Sequence, residues 1–410
     1  MKNWSGNVTF DPRLVLRPLT INDIKSAIST AQSVRALGSA HSFNFIANSK
    51  DVLLSFENFP KDIEIDSSNN QVRVAAGVRY GELAIALNTA GLALPNMGSL
   101  PHITVVGATS TGTHGSGVKN QNLSAAVCSI EIVTASGDEI TIIGDELVSA
   151  RIGLGALGII HHLTLQAVNA FQVAQNVFLD LPFINLIENF ETVMGAGYSV
   201  SAFTTWGEAL VDQIWIKSRI GADSAPGEDL FSARRATHKS HPLPGASTES
   251  ATEQLGIVGP WHERLPHFKL DFTPSFGDEL QTEYFVDLKD GAAALQCVYE
   301  LRQLIRPLLL VSELRTIASD ENWLSEAYDR QSLAIHFTWK PNVPGVLAFL
   351  PTLEAALKPF AARPHWGKLF TATSFDFSTL YPRFSLWLDY RSRLDPDRKF
   401  INEQLSLWGI

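Results

Sequence analysis

Three stretches of the chain carry polar side chains two residues apart, which is the spacing that puts both on one face of a β-strand. The pairs are Gln281 and Glu283 within 280–287, Glu313 and Arg315 within 309–317, and His336 and Thr338 within 333–339. The other face of each stretch is mostly apolar. One interpretation is an antiparallel sheet with a solvated side. The other is a polar wall that offers neutral hydrogen-bonding groups and a Glu–Arg pair to a substrate rich in hydroxyl groups.

Two loops of small residues could bring the backbone close to a flat, phosphorylated ligand. The first, 35–44, reads Arg-Ala-Leu-Gly-Ser-Ala-His-Ser-Phe-Asn and follows a short apolar run. The second, 107–117, reads Gly-Ala-Thr-Ser-Thr-Gly-Thr-His-Gly-Ser-Gly. Small side chains leave backbone N–H groups free to point at phosphate oxygens. Either loop alone also fits an ordinary solvated turn.

These loops and a third motif, in this order, resemble the vanillyl-alcohol-oxidase type of FAD oxidoreductases over nearly the whole chain. The segment 38–43 resembles the flavin-attachment loop of that family, and 107–117 resembles its second pyrophosphate cradle. The segment 365–368, His-Trp-Gly-Lys, resembles the His-Trp-x-Lys signature of the sugar-oxidising branch. That branch holds aldonolactone oxidases and alditol oxidases, and the resemblance is strongest to the alditol type.

The resemblance implies an α+β fold of two domains, in which the antiparallel sheet of a substrate (cap) domain roofs the flavin. It divides the chain into an FAD-binding domain, 1–170, a substrate domain, 171–370, and a C-terminal segment, 371–410, that returns to the FAD-binding domain.

FAD is the implied cofactor, bonded covalently through His41, and no metal ion is expected. The implied cofactor contacts are Leu37, Gly38, Ser39, Ala40, His41, Ser42, Phe43, Gly98, Ser99, Thr104, Gly107, Thr111, Gly112, Thr113, His114, Gly158, Ile159, His365 and Lys368. A histidine in a loop is otherwise usually an exposed side chain. His114, in the second loop, is the alternative linkage or a phosphate contact.

Matched residue by residue, the resemblance also implies a substrate site. Its members are Ser99, Gln281, Glu313, Arg315, His336, Thr338 and Lys368, of which Arg315, Lys368, His336 and Glu313 form the expected catalytic set. The implied reaction converts the terminal hydroxyl of an alditol such as xylitol or sorbitol to an aldose. A hydride passes to flavin N5, and O2 is reduced to H2O2.

The residue types suit that chemistry. Arg315 and Lys368 would stabilise the alkoxide that develops when the hydroxyl loses its proton. His336 is the candidate base by its ordinary pKa, with orientation of a hydrogen bond as its alternative role. Two other functions fit the same fold, namely an aldonolactone oxidase or dehydrogenase and a non-catalytic carbohydrate-binding protein.

Hydrophobic periodicity predicts the elements that must position these residues. Thr20 and Asp23 form a capping-box-like pair, and Gly91 is placed to end a helix. The predicted helices are 20–33, 80–90, 145–151, 183–194, 292–305 and 346–360, the last with Pro351 as a site for a kink. The predicted strands are 34–37, 51–56, 63–65, 71–75, 127–134, 138–143, 159–165, 201–205, 211–217, 280–287, 309–317 and 332–339. The second half therefore predicts a sheet covered on one side by helices.

Two other stretches have their own predictions. The segment 222–259 is rich in Pro, Gly, Ser, Thr and charge, and it is predicted to be a long loop or lid. The segment 153–158 has the G-x-G-x-x-G spacing, but a helix-like run precedes it and a strand-like run follows. A nicotinamide fingerprint needs the opposite order, so these glycines are interpreted as a tight bend.

Composition narrows the partners. The net charge of −10 and the lack of a Lys/Arg cluster argue against nucleic acid or an anionic membrane surface as partners. The resemblance implies a small polyol and O2 as partners, with a monomer as one option for the oligomeric state. Cys128 and Cys297 lie in apolar runs and are predicted to be free thiols. The segment 1–10 lacks the apolar core of a signal peptide, and no window is long enough to span a membrane. A cytoplasmic location is therefore predicted.

Overall fold

The computed structural model describes residues 1–207, 209–272 and 278–410. Its strands are β1 (Leu14–Leu16), β2 (Val34–Leu37), β3 (Val52–Ser55), β4 (Ile63–Asp66), β5 (Gln71–Ala75), β6 (Leu92–Ala93), β7 (Val127–Val133), β8 (Glu139–Ile142), β9 (Ile159–Gln166), β10 (Val168–Asn169), β11 (Gln172–Pro182), β12 (Ser199–Thr204), β13 (Leu210–Arg219), β14 (Asp229–Leu230), β15 (Ala233–Arg235), β16 (Gly259–Pro260), β17 (Leu280–Asp287), β18 (Leu309–Ile317), β19 (Ser332–Trp339) and β20 (Arg363–Pro364). Its α-helices are α1 (Ile21–Thr30), α2 (Tyr80–Thr89), α3 (Val105–Thr109), α4 (Leu147–Ala150), α5 (Phe183–Glu188), α6 (Phe190–Met194), α7 (Gly291–Glu300), α8 (Arg302–Ile305), α9 (Val343–Leu357), α10 (Phe377–Leu380), α11 (Phe384–Leu394) and α12 (Glu403–Leu407). Within the described ranges, no helix combines the length and the hydropathy that crossing a membrane requires.

The described N-terminal part contains three sheets, of which the smallest is the antiparallel pair of β6 and β10. A parallel sheet has the order β1-β3-β2, and an antiparallel sheet has the order β4-β5-β9-β7-β8. Helix α1 begins where the sequence predicts, because a capping box forms at its start. Thr20 Oγ1 accepts from the Asp23 N–H at 3.2 Å, and the Asp23 carboxylate accepts from the Thr20 N–H at 2.9 Å. Its buried residues Ile24, Ala27 and Ile28 recur at helical spacing.

The guanidinium of Arg35 joins three distant parts of the chain in the interior. It donates to the carbonyl oxygens of Ile46 at 3.0 Å, Leu154 at 2.7 Å, Gly155 at 2.7 Å and Phe400 at 2.6 Å. Leu154 and Gly155 adopt φ values of +53° and +65°, a left-handed turn in which both carbonyls reach the same cation. Burial lowers the pKa of Arg35 to about 10, so the side chain stays charged at neutral pH.

The larger sheet has the order β14-β15-β11-β13-β12-β18-β19-β17-β20, with β16 beside β11, and its pairings are antiparallel. On one face, Tyr284, Leu314 and Ile335 belong to a hydrophobic core that also holds Leu295 of α7 and Leu353 of α9. The opposite face carries the polar pairs predicted from their spacing. The sheet is therefore covered by helices on one side, as predicted.

A separate hydrophobic core runs from Ile24 to Val173 along the chain and continues with residues of the C-terminal segment, among them Trp387 and Trp408. Trp261 and Leu324, from the middle of the chain, also belong to it. The domain boundaries stay a prediction.

Several predicted elements need correction. The predicted helix at 183–194 is two helices, α5 and α6, because Asn189 leaves helical geometry with φ −122° and ψ 27°. The predicted helix at 292–305 is likewise divided into α7 and α8. Helix α9 starts earlier than predicted, because the Asn342 side chain caps it, and it continues through Pro351. The segment 222–259 contains short strands β14 and β15 as well as loop.

The 11-residue strand β11 and the helix α11 were not predicted from the sequence. Both faces of β11 are largely buried, so its side chains do not alternate between apolar and polar. Alternation was the signal used to identify strands in this part of the chain.

We expect Arg35→Met to lower the free energy of unfolding by about 3–5 kcal/mol, because the buried carbonyls of Leu154, Gly155 and Phe400 lose the donor that Arg35 supplies. Arg17→Met is the matched control, since Arg17 makes a 3.1 Å ion pair with Glu57 but its side chain is 45 % exposed. That variant should stay within about 1 kcal/mol of wild type. Urea unfolding followed by tryptophan fluorescence measures both. Equal midpoints for the two variants would show that Arg35 does not hold these segments together.

Candidate active site

A cavity of about 340 Å³ lies between the small-residue loops and the polar face of the large sheet. Residues 37–43 and 98–114 contribute to one side, and β17, β18 and β19 contribute to the other. The segment 365–368 and residues His241, Pro242 and Leu243 also line it. The two loops and the three polar strands therefore meet at one place, as the sequence predicted.

The two loops pack directly against each other through Thr104. A Cβ added at Gly38 would lie 2.3 Å from Thr104 Oγ1, and one added at Gly107 would lie 2.8 Å from the same atom. A side chain at Gly38 would therefore push the loops apart. At Gly98, by contrast, the nearest heavy atom to an added Cβ is 3.6 Å away, so this part of the cavity wall has room.

His41 is held inside the first loop and is not an exposed side chain. Its Nδ1 lies 3.1 Å from the Ser39 carbonyl oxygen, and its ring stacks on Trp4 with centroids 5.1 Å apart. A carbonyl oxygen can only accept, so Nδ1 carries the hydrogen and Nε2 has the free lone pair. Nε2 is buried, and it has no hydrogen-bond partner among the residues that the structure describes. Burial lowers the pKa of His41 to about 4, so the imidazole is neutral at neutral pH.

The strand registers align the polar roof into a row across three strands. Glu283 of β17 and Glu313 of β18 both pair with His336 of β19. Gln281 pairs with Thr338 in the next row of the same face. The spacing of two within each strand predicted which residues share a face, but the register between strands is what brings them together.

Gln281 connects Lys368 to His336. The Lys368 ammonium donates to Gln281 Oε1, and His336 Nε2 lies 3.2 Å from the same oxygen. The lysine can only donate, so the amide must present oxygen, and His336 Nε2 must carry the hydrogen. Burial lowers the pKa of Lys368 to about 8 and that of His336 to about 3. The imidazole is therefore neutral, with its lone pair on Nδ1.

Arg315 lies between two buried carboxylates. Its Nε is 3.1 Å from Glu313 Oε1, and Nη2 is 3.9 Å from Glu283 Oε1. Glu283 also contacts His114 Nε2 at 3.1 Å. Burial alone would raise the pKa of both carboxyl groups, but the neighbouring cationic and imidazole groups outweigh it and hold both below their usual range. Glu283 had been placed on this face by its spacing, but it was not among the predicted site residues.

Four polar atoms in the cavity wall are buried without a hydrogen-bond partner. They are His41 Nε2, Ser99 Oγ, Thr104 Oγ1 and Arg315 Nε, the last because its contact with Glu313 is not aligned for a hydrogen bond. Buried polar groups are normally paired, so these atoms fit a wall completed by a polar ligand. Three belong to the loop side of the cavity and one, Arg315 Nε, belongs to the sheet, so unpaired polar atoms face the cavity from both sides.

Most predicted site residues line this cavity, and two do not. Gly112 has φ +69° and faces Glu326, whose Oε2 would lie 2.2 Å from an added Cβ. Ile159 lies in the hydrophobic core, and its neighbour Ile160 lines the cavity, because successive residues of β9 point to opposite faces. The cofactor contact expected of Ile159 stays a prediction.

Two further buried residues at the wall were missed. His267 lines the cavity from the segment before β17, and Lys217 lies behind it on β13. Lys217 offered a signal, since it is a charged residue at the end of an apolar predicted strand. His267 follows the segment 222–259, which has few apolar runs, and its sequence context offered no signal.

Comparisons with known proteins agree with this architecture. Residues 12–142 match the FAD binding domain family, and residues 275–407 match the D-arabinono-1,4-lactone oxidase family. The chain is 44 % identical to an alditol oxidase of Streptomyces sp. over 98 % of its own length and 96 % of that relative. It is 29 % identical to an L-gulono-1,4-lactone dehydrogenase of Mycobacterium tuberculosis over 98 % of its length and 97 % of that protein.

Among solved structures, a cholesterol oxidase from B. sterolicum superposes with a TM-score of 0.80 at 15 % identity, covering 99 % of this chain and 96 % of the other. That likeness establishes the fold, and the first loop, the second loop and the polar roof occupy one cavity within it. The lactone-acting relative is more distant in sequence than the alditol oxidase. The chain belongs to the alditol oxidase family, within the vanillyl-alcohol-oxidase type of FAD oxidoreductases.

Proposed function

We propose that this protein is an FAD-dependent alditol oxidase that converts the terminal hydroxyl of polyols such as xylitol and sorbitol to an aldehyde and reduces O2 to H2O2. The observation that supports it most is the wall of the cavity. All seven residues matched to the alditol-oxidising members, from Ser99 to Lys368, line the same space as the two cofactor loops. Their hydrogen-bonding groups suit a neutral polyol.

The chain would hold the cofactor through segments 37–43 and 104–114, whose small residues leave backbone N–H groups accessible. FAD supplies the acceptor for the two electrons and the hydrogen that leave the carbinol carbon. The remaining chemistry belongs to side chains of the roof, which must bind the polyol, orient it and move the hydroxyl proton.

Lys368 and Arg315 would stabilise negative charge on the substrate oxygen as its proton leaves. His336 would accept that proton at Nδ1, since Nε2 already donates to Gln281. Glu283 and Glu313 flank His336 on the neighbouring strands and would stabilise the imidazolium that forms. Burial outweighs the raising effect of both carboxylates and lowers the pKa of His336 to about 3, so His336 is a weak base even with them beside it.

O2 is the proposed electron acceptor. Gly98 lines the cavity next to Ser99 and leaves space where a Cβ would stand. A small residue there would give dioxygen access to the cofactor edge.

An aldonolactone oxidase is the second candidate, because residues 275–407 match the D-arabinono-1,4-lactone oxidase family. A substrate panel separates the two. We expect xylitol, sorbitol and glycerol to release H2O2 and an aldonolactone to give little. Preference for the lactone would reject the alditol assignment, and turnover with an artificial dye but without O2 consumption would make the protein a dehydrogenase.

We propose that His41 Nε2 forms the covalent bond to the flavin, because it is neutral, buried and unpartnered. Forming this C–N bond would remove one hydrogen from a carbon of the flavin and one from the His41 imidazole. The two hydrogens carry two electrons and two protons, which O2 would take up as H2O2. Acid-precipitated wild-type protein should therefore remain yellow, and His41→Ala should release its colour to the supernatant. His114→Ala is the control and should stay yellow. The reverse result would assign the linkage to His114.

We expect Lys368→Met to lower kcat/KM by about a hundredfold to a thousandfold while FAD content is unchanged, because a cation beside the developing alkoxide is lost. Lys289→Met, on the exposed surface, is the control. Burial lowers the pKa of Lys368 to about 8, so its ammonium is lost as the pH rises through that value. Wild-type activity should then fall above pH 8, and the variant should lack this fall. A variant with normal kcat and only a raised KM would mean that Lys368 binds ground state and transition state equally.

A further inference from the structure

Three buried titratable side chains form a continuous line behind the roof of the cavity. Lys217 Nζ lies 3.1 Å from His267 Nδ1, and His267 Nε2 lies 2.7 Å from Glu313 Oε1. Lys217 is 1 % exposed, His267 4 % and Glu313 6 %. The line therefore runs from the interior of the sheet, at β13, to a carboxylate in the cavity wall.

The hydrogen-bond partners fix the direction of each bond. The Lys217 amine also contacts the carbonyl oxygens of Leu265 and Pro266, to which it can only donate. Burial lowers the pKa of Lys217 to about 7. Below that pH the side chain is an ammonium, and its third hydrogen is available for His267 Nδ1, which then accepts. The imidazole is left with its hydrogen on Nε2, and this hydrogen points at Glu313. Burial, and after it the positive charge of Lys217, lowers the pKa of His267 to about 4, which agrees with a neutral ring.

This arrangement decides which oxygen of Glu313 can serve a ligand. His267 Nε2 and Arg315 Nε both approach Oε1, at 2.7 Å and 3.1 Å. Oε2 is then the oxygen that a substrate hydroxyl would reach. The orientation of the carboxylate depends on the imidazole, and the orientation of the imidazole depends on the lysine.

Packing alone does not explain the line. The His267 ring makes edge-to-face contacts with Phe203 and Trp215, at centroid distances of 5.5 Å and 5.2 Å, which an aromatic hydrocarbon could make as well. Burying a lysine, a histidine and a glutamate together costs desolvation that apolar side chains would avoid. The cost is understandable if the polar atoms orient a group at the site.

We propose that His267 is a positioning residue, which acts through Glu313 to aim one carboxylate oxygen at a substrate hydroxyl, and that Lys217 fixes the imidazole for this task. The proposal rests on the alditol oxidase function above, because it concerns a hydroxyl that Glu313 would bind.

A double-mutant cycle with xylitol tests it. His267→Leu should lower kcat/KM by about tenfold to a hundredfold, the usual effect of losing a hydrogen bond to a charged group. His267→Gln, whose amide N–H can replace Nε2–H, should retain activity within about threefold of wild type. In a Glu313→Gln background, His267→Leu should add little further loss, because the group through which it acts is already altered.

Flavin content and the thermal midpoint, measured on every variant, show whether folding is preserved. Equal fold-losses from His267→Leu in both backgrounds would overturn the proposal, since the effects would then be independent. So would a His267→Gln variant as impaired as His267→Leu with its flavin in place.

An NMR measurement of the imidazole nitrogens needs no turnover. In ¹⁵N-histidine-labelled protein, the His267 signals, assigned from the His267→Gln spectrum, should show a neutral ring with hydrogen on Nε2. Lys217→Met should raise the pKa of His267, because the positive charge that faces it is removed while Glu313 and Arg315 remain. Hydrogen on Nδ1, or an unchanged titration in Lys217→Met, would overturn the proposal. If the tautomer is as expected but the enzyme does not oxidise polyols, the proposed alditol oxidase function is rejected. The hydrogen-bonded line of Lys217, His267 and Glu313 is then still supported.

Discussion

The cofactor loop depends on one buried cation. Arg35 lies two residues before Leu37, where β2 ends and the loop begins. Its guanidinium donates to carbonyl oxygens of Ile46, the 153–158 bend and the C-terminal segment. Since a buried charge is tolerated only when its partners surround it, these segments and β2 must take up their places together. The glycine bend that resembles a nucleotide fingerprint therefore has a structural use, namely to aim two successive carbonyls at Arg35.

The roof has a comparable constraint, which is electrostatic. Glu283 and Glu313 stand on either side of His336, and Arg315, Lys368 and Lys217 supply positive charge within the same buried region. Each carboxylate remains ionised because cations and imidazoles face it, and the histidines remain neutral because burial opposes their charged form. A single substitution here would alter the charge state of several neighbours.

Much of the site could be predicted from the sequence because local patterns determine it. The two loops of small residues, the spacing of two on β17, β18 and β19, and the cap at Thr20 are all properties of short segments. What could not be predicted depends on contacts between distant segments. His267 reaches Glu313 across 46 residues, and only the folded chain brings the segment before β17 against β18. Likewise β11 is buried on both faces by its neighbours, so its own sequence shows no alternation.

The bond from Arg35 to the Phe400 carbonyl spans 365 positions of the chain. A ribosome that has made the first loop and its strand must still add most of the protein before that partner exists. The N-terminal core cannot close during that interval, since Trp387 and Trp408 are also missing from it. The sheet of the middle region, by contrast, finds most of its partners nearby in the chain. We therefore expect the sheet of the middle region to be able to form before the N-terminal core, which is complete only after the segment with Trp387, Phe400 and Trp408 has been made.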